Sequence, residues 1–460
     1  MDGAQSVNPY LSGNFAPVGD ELNLDLEVAG ELPRDLRGVF YRNGPNPQFA
    51  PRGDYHWFTG DGMVHGFFVE DGKVRYRNRW VRTPKWALEH AAGHALFAGF
   101  DPRASDPSVA GEDGGVANTN IVWHAGRLLA LEEGHPPTAL DPDSLETLGY
   151  VEAFKGKVTA HPKVDPKSGE LVWFAYNVGA PFSATVSYGV TDAEGRLVRR
   201  DDFQAPFSSM VHDFLVTERH ALFPILPLTG SLPRAMAGQA PYAWEPDKGG
   251  HVGVLPRSAP VADMRWFEVE PCYVFHPMNA WEDGGRICAD VMEYAAPPLF
   301  PGVDGAPAAR TGAKLARWTL DLAGASAVIQ RTPLDDTPGE FPRFDERFAG
   351  LPYRHGWFAA NGRDASEIRF DSLVHVDHAT GKRVIHRFPA GDAPGEPMFV
   401  PRAPGAEEGD GWLVAVVYRA GEDRSDFVVF NALAIEAGPI AVAKLPRRVP
   451  FGFHGNWRPL

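Results

Sequence analysis

Short runs of alternating or fully apolar residues recur along the chain, and most of them end in a cluster of Asp and Gly. Residues 69–74 give a strand, an Asp-Gly turn and a second strand, which is a strong short-range signal for a β-hairpin. The same pattern recurs at residues 164–174, 189–198, 281–292 and 373–388. The pattern predicts a chain of antiparallel strands joined by tight turns.

Helical patterns are scarce in this sequence. The best one covers residues 83–98, where Thr83 is a suitable N-cap and Pro84 a suitable first helical residue. A second, shorter turn is predicted at residues 234–239. The 49 glycines and 42 prolines among 460 residues fit this picture, because they favour frequent turns and few long helices.

The hairpins continue from about residue 36 to the C-terminus without a linker rich in Pro or Ser. This continuity predicts one all-β domain over residues 1–460. A β-propeller needs roughly 40–50 residues per four-stranded blade, so six or seven blades fit the length. No repeat of that period is visible, and a pair of β-sandwich domains is the alternative from pattern alone.

Composition excludes several classes of binding partner and of protein. The chain has 44 Lys and Arg against 59 Asp and Glu, a net charge of −15, which argues against nucleic acid and against a polybasic membrane anchor. Two cysteines, Cys272 and Cys288, cannot form a disulfide framework. The N-terminus lacks a signal-peptide pattern, and no apolar run approaches the ~20 residues that span a bilayer. We expect a soluble cytoplasmic protein without a transmembrane segment, while transient contact with a membrane surface is still allowed.

Four of the 16 histidines share one context: each follows an apolar stretch at a predicted strand end and is flanked by Pro, Gly or Asp. They are His161, His212, His276 and His454. Their separations of 51, 64 and 178 residues correspond to one, one and three to four blade periods. Four imidazoles converging on a propeller axis would make a nitrogen site for Fe, Cu or Zn. Taken singly, a surface or core histidine is the ordinary explanation.

Four segments make the sequence similar to the carotenoid cleavage oxygenase family, which includes bacterial lignostilbene dioxygenases, apocarotenoid oxygenases and the retinal pigment epithelium isomerase. The segments are residues 36–47, 56–65, 117–120 and 454–457. The similarity covers nearly the whole chain. It implies a seven-bladed propeller, a dome of loops and helices over one end, and a non-haem Fe(II) held by the four histidines named above.

The resemblance also implies three glutamates that orient the histidines. They are Glu133, Glu340 and Glu396, which should accept the Nδ1–H of His212, His276 and His454 in that order. His161 is then left without a carboxylate partner. Two other histidines, His56 and His65, belong to the segment at 56–65 and are expected to be structural.

On the substrate side, the resemblance implies an apolar tunnel lined by some of the aromatic residues, which make up 12% of the chain. The candidates are Phe58, Phe67, Phe100, Trp123 and Phe275. Thr119, in the Asn-Thr-Asn motif at 118–120, resembles the family residue whose methyl group lies near the open iron position.

Two positions help to distinguish an apolar polyene from a phenolic stilbene as the substrate. Where the lignostilbene branch carries a Tyr and a Lys that contact a phenolic oxygen, this chain has Phe100 and Glu132. The sequence therefore predicts an Fe(II)- and O2-dependent dioxygenase that cleaves an apolar, apocarotenoid-like polyene into two carbonyl products. A stilbenoid or phenylpropenoid substrate is the alternative within the family, and a non-catalytic binding propeller is the alternative of a different class.

Overall fold

The structure, a computed structural model, describes residues 8–324, 326–361 and 369–460. Strands make up nearly all the regular structure in these ranges, so the predicted all-β class is confirmed. The α-helices in them are α1 (Pro84–Ala92) and α2 (Leu232–Met236). Short 3-10 turns occur at Pro9–Leu11, Gly13–Phe15, Trp57–Thr59, Pro102–Ala104, Pro107–Val109, Glu152–Phe154, Pro246–Lys248, Val261–Asp263, Glu346–Phe348 and Ile435–Ala437. Neither α-helix has the length and hydropathy that a membrane crossing requires.

The strands are numbered in chain order. The first part of the chain contains β1 (Asn23–Asp25), β2 (Glu27–Gly30), β3 (Gly38–Pro45), β4 (Gly62–Glu70), β5 (Lys73–Trp80), β6 (Asn120–His124), β7 (Arg127–Leu131), β8 (Thr138–Leu140), β9 (Thr147–Tyr150), β10 (Lys163–Val164), β11 (Leu171–Ala175), β12 (Thr185–Thr191) and β13 (Leu197–Gln204). The middle contains β14 (Leu215–Val216), β15 (His220–Ile225), β16 (Leu228–Gly230), β17 (Tyr242–Trp244), β18 (Gly250–Pro256), β19 (Arg265–Val269), β20 (Tyr273–Asp283), β21 (Arg286–Tyr294) and β22 (Ala313–Asp321). The last part contains β23 (Gln330–Phe344), β24 (His355–Ala360), β25 (Ser372–Asp377), β26 (Lys382–Arg387), β27 (Ala393–Pro394), β28 (Met398–Pro401), β29 (Gly411–Arg419), β30 (Arg424–Asn431), β31 (Ala441–Lys444) and β32 (Gly455–Pro459).

Antiparallel ladders join these strands into sheets, six of which have four or more strands in the described ranges. We name them sheet 1 (β1-β5-β4-β3-β32), sheet 2 (β6 to β9), sheet 3 (β10 to β13), sheet 4 (β14-β15-β18-β19), sheet 5 (β20 to β26) and sheet 6 (β2-β31-β30-β29-β27, with β28 on β29). Strands β16 and β17 form a separate pair. The two ends of the chain share sheets, since β3 pairs with β32 and β2 with β31.

The apolar core lies between neighbouring sheets, and its clusters connect the sheets in a circle. Separate clusters join sheets 1 and 2, 2 and 3, 3 and 4, 4 and 5, 5 and 6, and finally 6 and 1. The last junction brings the Phe67 ring to 4.9 Å from the Phe427 ring. Within sheet 5, Phe358 and Val374 of β24 and β25 pack in the same cluster as Ile287 of β21, so the two halves of this sheet face each other.

The five predicted hairpins are confirmed by the strand pairs β4–β5, β10–β11, β12–β13, β20–β21 and β25–β26. In the first one, Asp71 and Gly72 both have positive φ, 51° and 75°, which matches the right-handed twist of the flanking strands.

Helix α1 begins as predicted but is shorter. Thr83 caps it by accepting the N–H of Trp86. The helix ends at Ala92 instead of residue 98, because Gly93 adopts a left-handed conformation (φ 74°) that terminates it. Helix α2 begins at Leu232, before the predicted residue 234, because Ser231 supplies the N-cap.

Candidate metal centre and adjoining cavity

The four selected histidines come from four sheets. His161 precedes β10 of sheet 3, His212 precedes β14 of sheet 4, and His454 precedes β32 of sheet 1. His276 lies within β20 of sheet 5, where the ladder shifts register between Val274 and Pro277. A proline cannot donate to the ladder, and such an irregularity re-aims the neighbouring side chain.

The side chains of these histidines meet at one point. Their nearest ring nitrogens all lie within 4.8 Å of one another. The Nε2 of His212 is 3.1 Å from the Nε2 of His161 and 3.1 Å from that of His276. Ligand atoms at about 2.1 Å from one metal ion and at right angles to each other are ~3 Å apart, so this spacing suits a shared ion.

Burial keeps at least two of these imidazoles neutral. It lowers the pKa of His161 and of His276 well below the ordinary value, and the neighbouring histidines add to the shift. Neutral imidazoles present a nitrogen lone pair, which is the form that binds metal ions.

Three of the histidines are hydrogen-bonded to glutamates. Each Nδ1–H donates to a carboxylate oxygen, over 2.5 Å for His212 with Glu133, 2.6 Å for His276 with Glu340 and 2.9 Å for His454 with Glu396. These are the pairs expected from the sequence. A carboxylate only accepts, so these bonds place the proton on Nδ1 and direct each Nε2 lone pair toward the centre.

Each glutamate is fixed by a second contact. The hydroxyl of Tyr176 donates to the other oxygen of Glu133. The backbone N–H of Phe341 donates to Glu340 over 2.7 Å, and that of Gly455 donates to Glu396 over 2.8 Å. Arg343 is also 3.4 Å from Glu396. Sequence reasoning did not identify Tyr176, because nothing in its apolar strand context distinguishes it from a core residue.

The electrostatics of the centre fit a cation. Burial raises the pKa of Glu340 well above the ordinary value, since a buried carboxylate lacks compensating charge. A divalent cation held by the four histidines would supply that charge.

His161 has no carboxylate within hydrogen-bonding distance of its Nδ1 among the described residues, but one lies close. The Oδ2 of buried Asp213 is 3.7 Å from this nitrogen. Asp213 is held by the ammonium of Lys163, at 2.8 Å, and by the backbone N–H of Phe214, at 2.6 Å. The expectation that His161 has no carboxylate partner stays a prediction, with Asp213 as the neighbouring carboxylate.

A cavity of about 1040 Å³ adjoins the centre. His212, His276 and His454 line it. Aromatic side chains contribute much of its remaining wall, alongside proline, glycine and polar residues; they include Trp57, Phe58, Phe275, Phe341, Phe451 and Phe453. Such a wall suits a flat, conjugated and largely apolar ligand.

Most of the predicted substrate residues line this cavity: Phe58, Phe100, Thr119, Glu132 and Phe275. The Thr119 hydroxyl donates to Asn118 Oδ1 over 3.0 Å, and its carbonyl accepts the backbone N–H of His454. Phe100 is 62% exposed, which places it at the rim. The Oε1 of Glu132 accepts the N–H of Val116 over 3.0 Å.

Two of the predictions were wrong: Phe67 and Trp123 do not line the cavity. Phe67 is fully buried between sheets 1 and 6, because strand β4 is covered on both faces and this side chain points to sheet 6. Trp123 lies under the guanidinium of Arg458, 4.3 Å from it, on sheet 2. His56 and His65 lie outside the cavity wall and make local bonds, the first to the N–H of Phe58 and the second to the hydroxyl of Tyr76.

Comparison with known proteins agrees with this geometry. The model of the retinal pigment epithelial membrane protein family matches residues 15–459. The isoeugenol monooxygenase of Pseudomonas putida is 38% identical over 98% of each chain. The carotenoid cleavage oxygenase of Mycobacterium tuberculosis is 35% identical over 99% of this chain and 98% of its own. The crystal structure of the lignostilbene dioxygenase of Pseudomonas brassicacearum superposes with a TM-score of 0.94, at 35% identity and over 99% of each chain.

The fold and the relatives define the class of protein: an oxygenase that cleaves carbon–carbon double bonds. Within that class, the chain belongs to the retinal pigment epithelial membrane protein family, whose model covers it almost from end to end.

Proposed function

We propose that the protein holds Fe(II) through His161, His212, His276 and His454, and uses O2 to split a conjugated double bond into two carbonyl products. The observation that carries this proposal is the convergence of four histidine nitrogens, three of them on glutamate-oriented rings, at the wall of an aromatic cavity. When bound, iron would supply the site where O2 binds and is activated.

In this proposal the residues of the chain orient the metal ligands, position the substrate and control access to the metal. Glu133, Glu340 and Glu396 orient the ligands. The aromatic wall excludes water and places one alkene bond beside the centre. We assign Thr119 the role of restricting access to the metal, supported by its place in the cavity wall and its backbone bond to His454.

We also propose that residues 1–460 form a single seven-bladed propeller. The circular order of the core clusters supports this arrangement, with sheet 5 contributing two blades because its halves pack face to face. The histidines would then project from the inner ends of four blades.

For the substrate, we propose an apolar polyene of the apocarotenoid kind. Phe100 offers no hydroxyl, and the Glu132 carboxylate is already engaged by a backbone N–H, so neither provides the donors that a phenolic stilbene would need. A stilbenoid or phenylpropenoid is the second candidate, favoured by the TM-score of 0.94 with a lignostilbene dioxygenase and by 38% identity with an isoeugenol monooxygenase.

The metal proposal is tested by iron content and O2 uptake. Purified protein should carry close to one iron per chain. Replacing any of the four histidines by Ala should abolish both iron binding and cleavage of a conjugated alkene, because the three remaining ligands bind the ion too weakly to retain it. Full activity in a metal-free sample would exclude the proposal. Tight ligand binding without O2 uptake would instead indicate a binding propeller.

The substrate proposal is tested by comparing kcat/KM for apocarotenals with kcat/KM for resveratrol, lignostilbenes and isoeugenol. We expect the apocarotenals to be preferred. The double variant Phe100→Tyr with Glu132→Lys should move the preference toward phenolic stilbenes. Efficient cleavage of 4-hydroxystilbenes by the unmodified enzyme, with apocarotenals inert, would select the second candidate.

A further inference from the structure

Several polar atoms of residues in the cavity wall have no hydrogen-bond partner within the described residues. The hydroxyls of Thr119 and Tyr176 and one carboxylate oxygen of Glu132 are engaged in hydrogen bonds. The hydroxyl of Tyr10, by contrast, makes no hydrogen bond within the described residues, although Tyr10 lines the cavity and is partly buried.

Tyr10 is held in place by its neighbours. It lies in the 3-10 turn Pro9–Leu11, where its backbone N–H donates to Asn8 Oδ1 over 2.9 Å. The side chain of Asn8 in turn donates to the carbonyl of Tyr55 over 2.8 Å. The Tyr10 ring lies 4.8 Å from the His56 ring and is parallel to Trp57 at 6.1 Å. A fixed ring with a free hydroxyl is suited to ligand recognition.

The same corner of the cavity holds two more unpaired polar atoms. Asn14 and Trp57 both line the cavity and are only 7% and 5% exposed. Asn14 Oδ1 and Trp57 Nε1 have no hydrogen-bond partner within the described ranges. Both atoms are shielded from solvent, so of these three polar groups the hydroxyl of the partly buried Tyr10 is the one placed to meet a ligand.

We propose that Tyr10 is the hydrogen-bond partner of an uncharged oxygen, a hydroxyl or a carbonyl, at one end of the conjugated substrate. This inference rests on the proposed function. Among the described residues, the rings in contact with Tyr10 are His56, Trp57 and Phe15, and none of these is a permanent cation, so an uncharged oxygen suits this position. Burial lowers the pKa of His56 to about 4, so this ring is neutral near pH 7.

Tyr10 also places a hydroxyl close to Phe100, whose own side chain has none. The Phe100 ring is 5.6 Å from the His56 ring, which Tyr10 contacts as well. A substrate that finds no hydroxyl at Phe100 therefore has one nearby, supplied by the N-terminal segment. Both substrate candidates can use it, since an apocarotenal carries a carbonyl oxygen and a hydroxystilbene a phenol.

The test is the variant Tyr10→Phe, which removes only the hydroxyl. Values of kcat/KM are measured for 4-hydroxystilbene against stilbene, and for an apocarotenal against its hydrocarbon counterpart. Of the two pairs, the one that the enzyme cleaves is informative. For its oxygen-containing compound we expect kcat/KM to fall about 2- to 10-fold in the variant, which is the effect of losing one neutral hydrogen bond. For the compound without oxygen, kcat/KM should stay unchanged. Equilibrium dissociation constants of the same compounds should shift by the same factor.

The control is Tyr55→Phe, because Tyr55 contacts the same segment through its carbonyl but does not line the cavity. It should leave the ratio within each pair unchanged. An unaltered ratio in Tyr10→Phe, or an equal change in Tyr55→Phe, would overturn the inference. Failure of the iron-loaded enzyme to cleave any of the four compounds would count against the proposed function instead.

Discussion

At the scale of single residues, the three glutamates of the centre perform one task with different second partners. Replacing each by Gln keeps the shape but puts an amide where a carboxylate accepted the histidine Nδ1–H. We expect Glu133→Gln, Glu340→Gln and Glu396→Gln to weaken iron retention by roughly 10–100-fold, measured by dissociation into a chelator. The exposed Glu407 is the control. A comparable loss in Glu407→Gln would show that the effect is not specific.

Tyr176 acts on the metal centre indirectly, through Glu133 and then His212. Its hydroxyl fixes the oxygen of Glu133 that does not bind His212. Tyr176→Phe should therefore accelerate iron loss by less than Glu133→Gln does, up to about 10-fold, and alter the EPR spectrum of the nitrosyl complex.

Tyr273→Phe is the matched control, since the Tyr273 hydroxyl is also buried but donates to the carbonyl of Met210. Equal rates of iron loss and equal EPR spectra in the two tyrosine variants would show that Tyr176 has no specific role at the metal centre.

At the scale of elements, helix α1 is tied to the turn at residues 60–62 by a buried ion cluster. The ammonium of Lys85 lies 2.6 Å from Asp61 and 2.8 Å from Glu89. Lys85→Met would leave two buried carboxylates without a counter-charge. We expect a loss of about 3–5 kcal/mol in the free energy of unfolding, measured by urea denaturation.

The control for this prediction is Lys167→Met. Lys167 pairs with Glu218 in a solvent-exposed position, so its removal should change the free energy of unfolding by less than about 1 kcal/mol. Equal losses in the two variants would mean that burial does not set the strength of the Lys85 cluster.

At the scale of the whole molecule, buried histidines make stability depend on pH. Burial lowers the pKa of His375, which stacks on Trp357, to about 4, against 6.5 in an unfolded chain. Between these values the unfolded chain binds a proton that the folded one does not. Stability should therefore fall as the pH is lowered from about 6.5 to about 4 and stop responding to this group below that.

This prediction is checked by denaturation at several pH values. His375→Gln should reduce the pH dependence by ~1–3 kcal/mol over that interval, because the titrating group is gone. The exposed His94 provides the control variant, His94→Gln. An unchanged slope in His375→Gln would assign the acid sensitivity to other groups.

The sequence by itself determined the local structure and the members of the centre. Asp-Gly turns specify hairpins because positive φ is cheap for those residues, as at Asp71 and Gly72. The four histidines stand out by their context of Pro, Gly or Asp after an apolar stretch, whereas the three glutamates followed from the resemblance to a known family.

Only the tertiary structure decided which side chains share a space. Phe67 and Trp123 looked like tunnel residues, but their strands β4 and β6 are buried on both faces, so alternation does not reveal which face meets the cavity. Tyr10 and Tyr176 carry no local signal at all. Their positions depend on contacts between distant segments: Glu133 and His212, for example, are 79 residues apart, and only the packing of sheets 2 and 4 around one centre brings them within 2.5 Å.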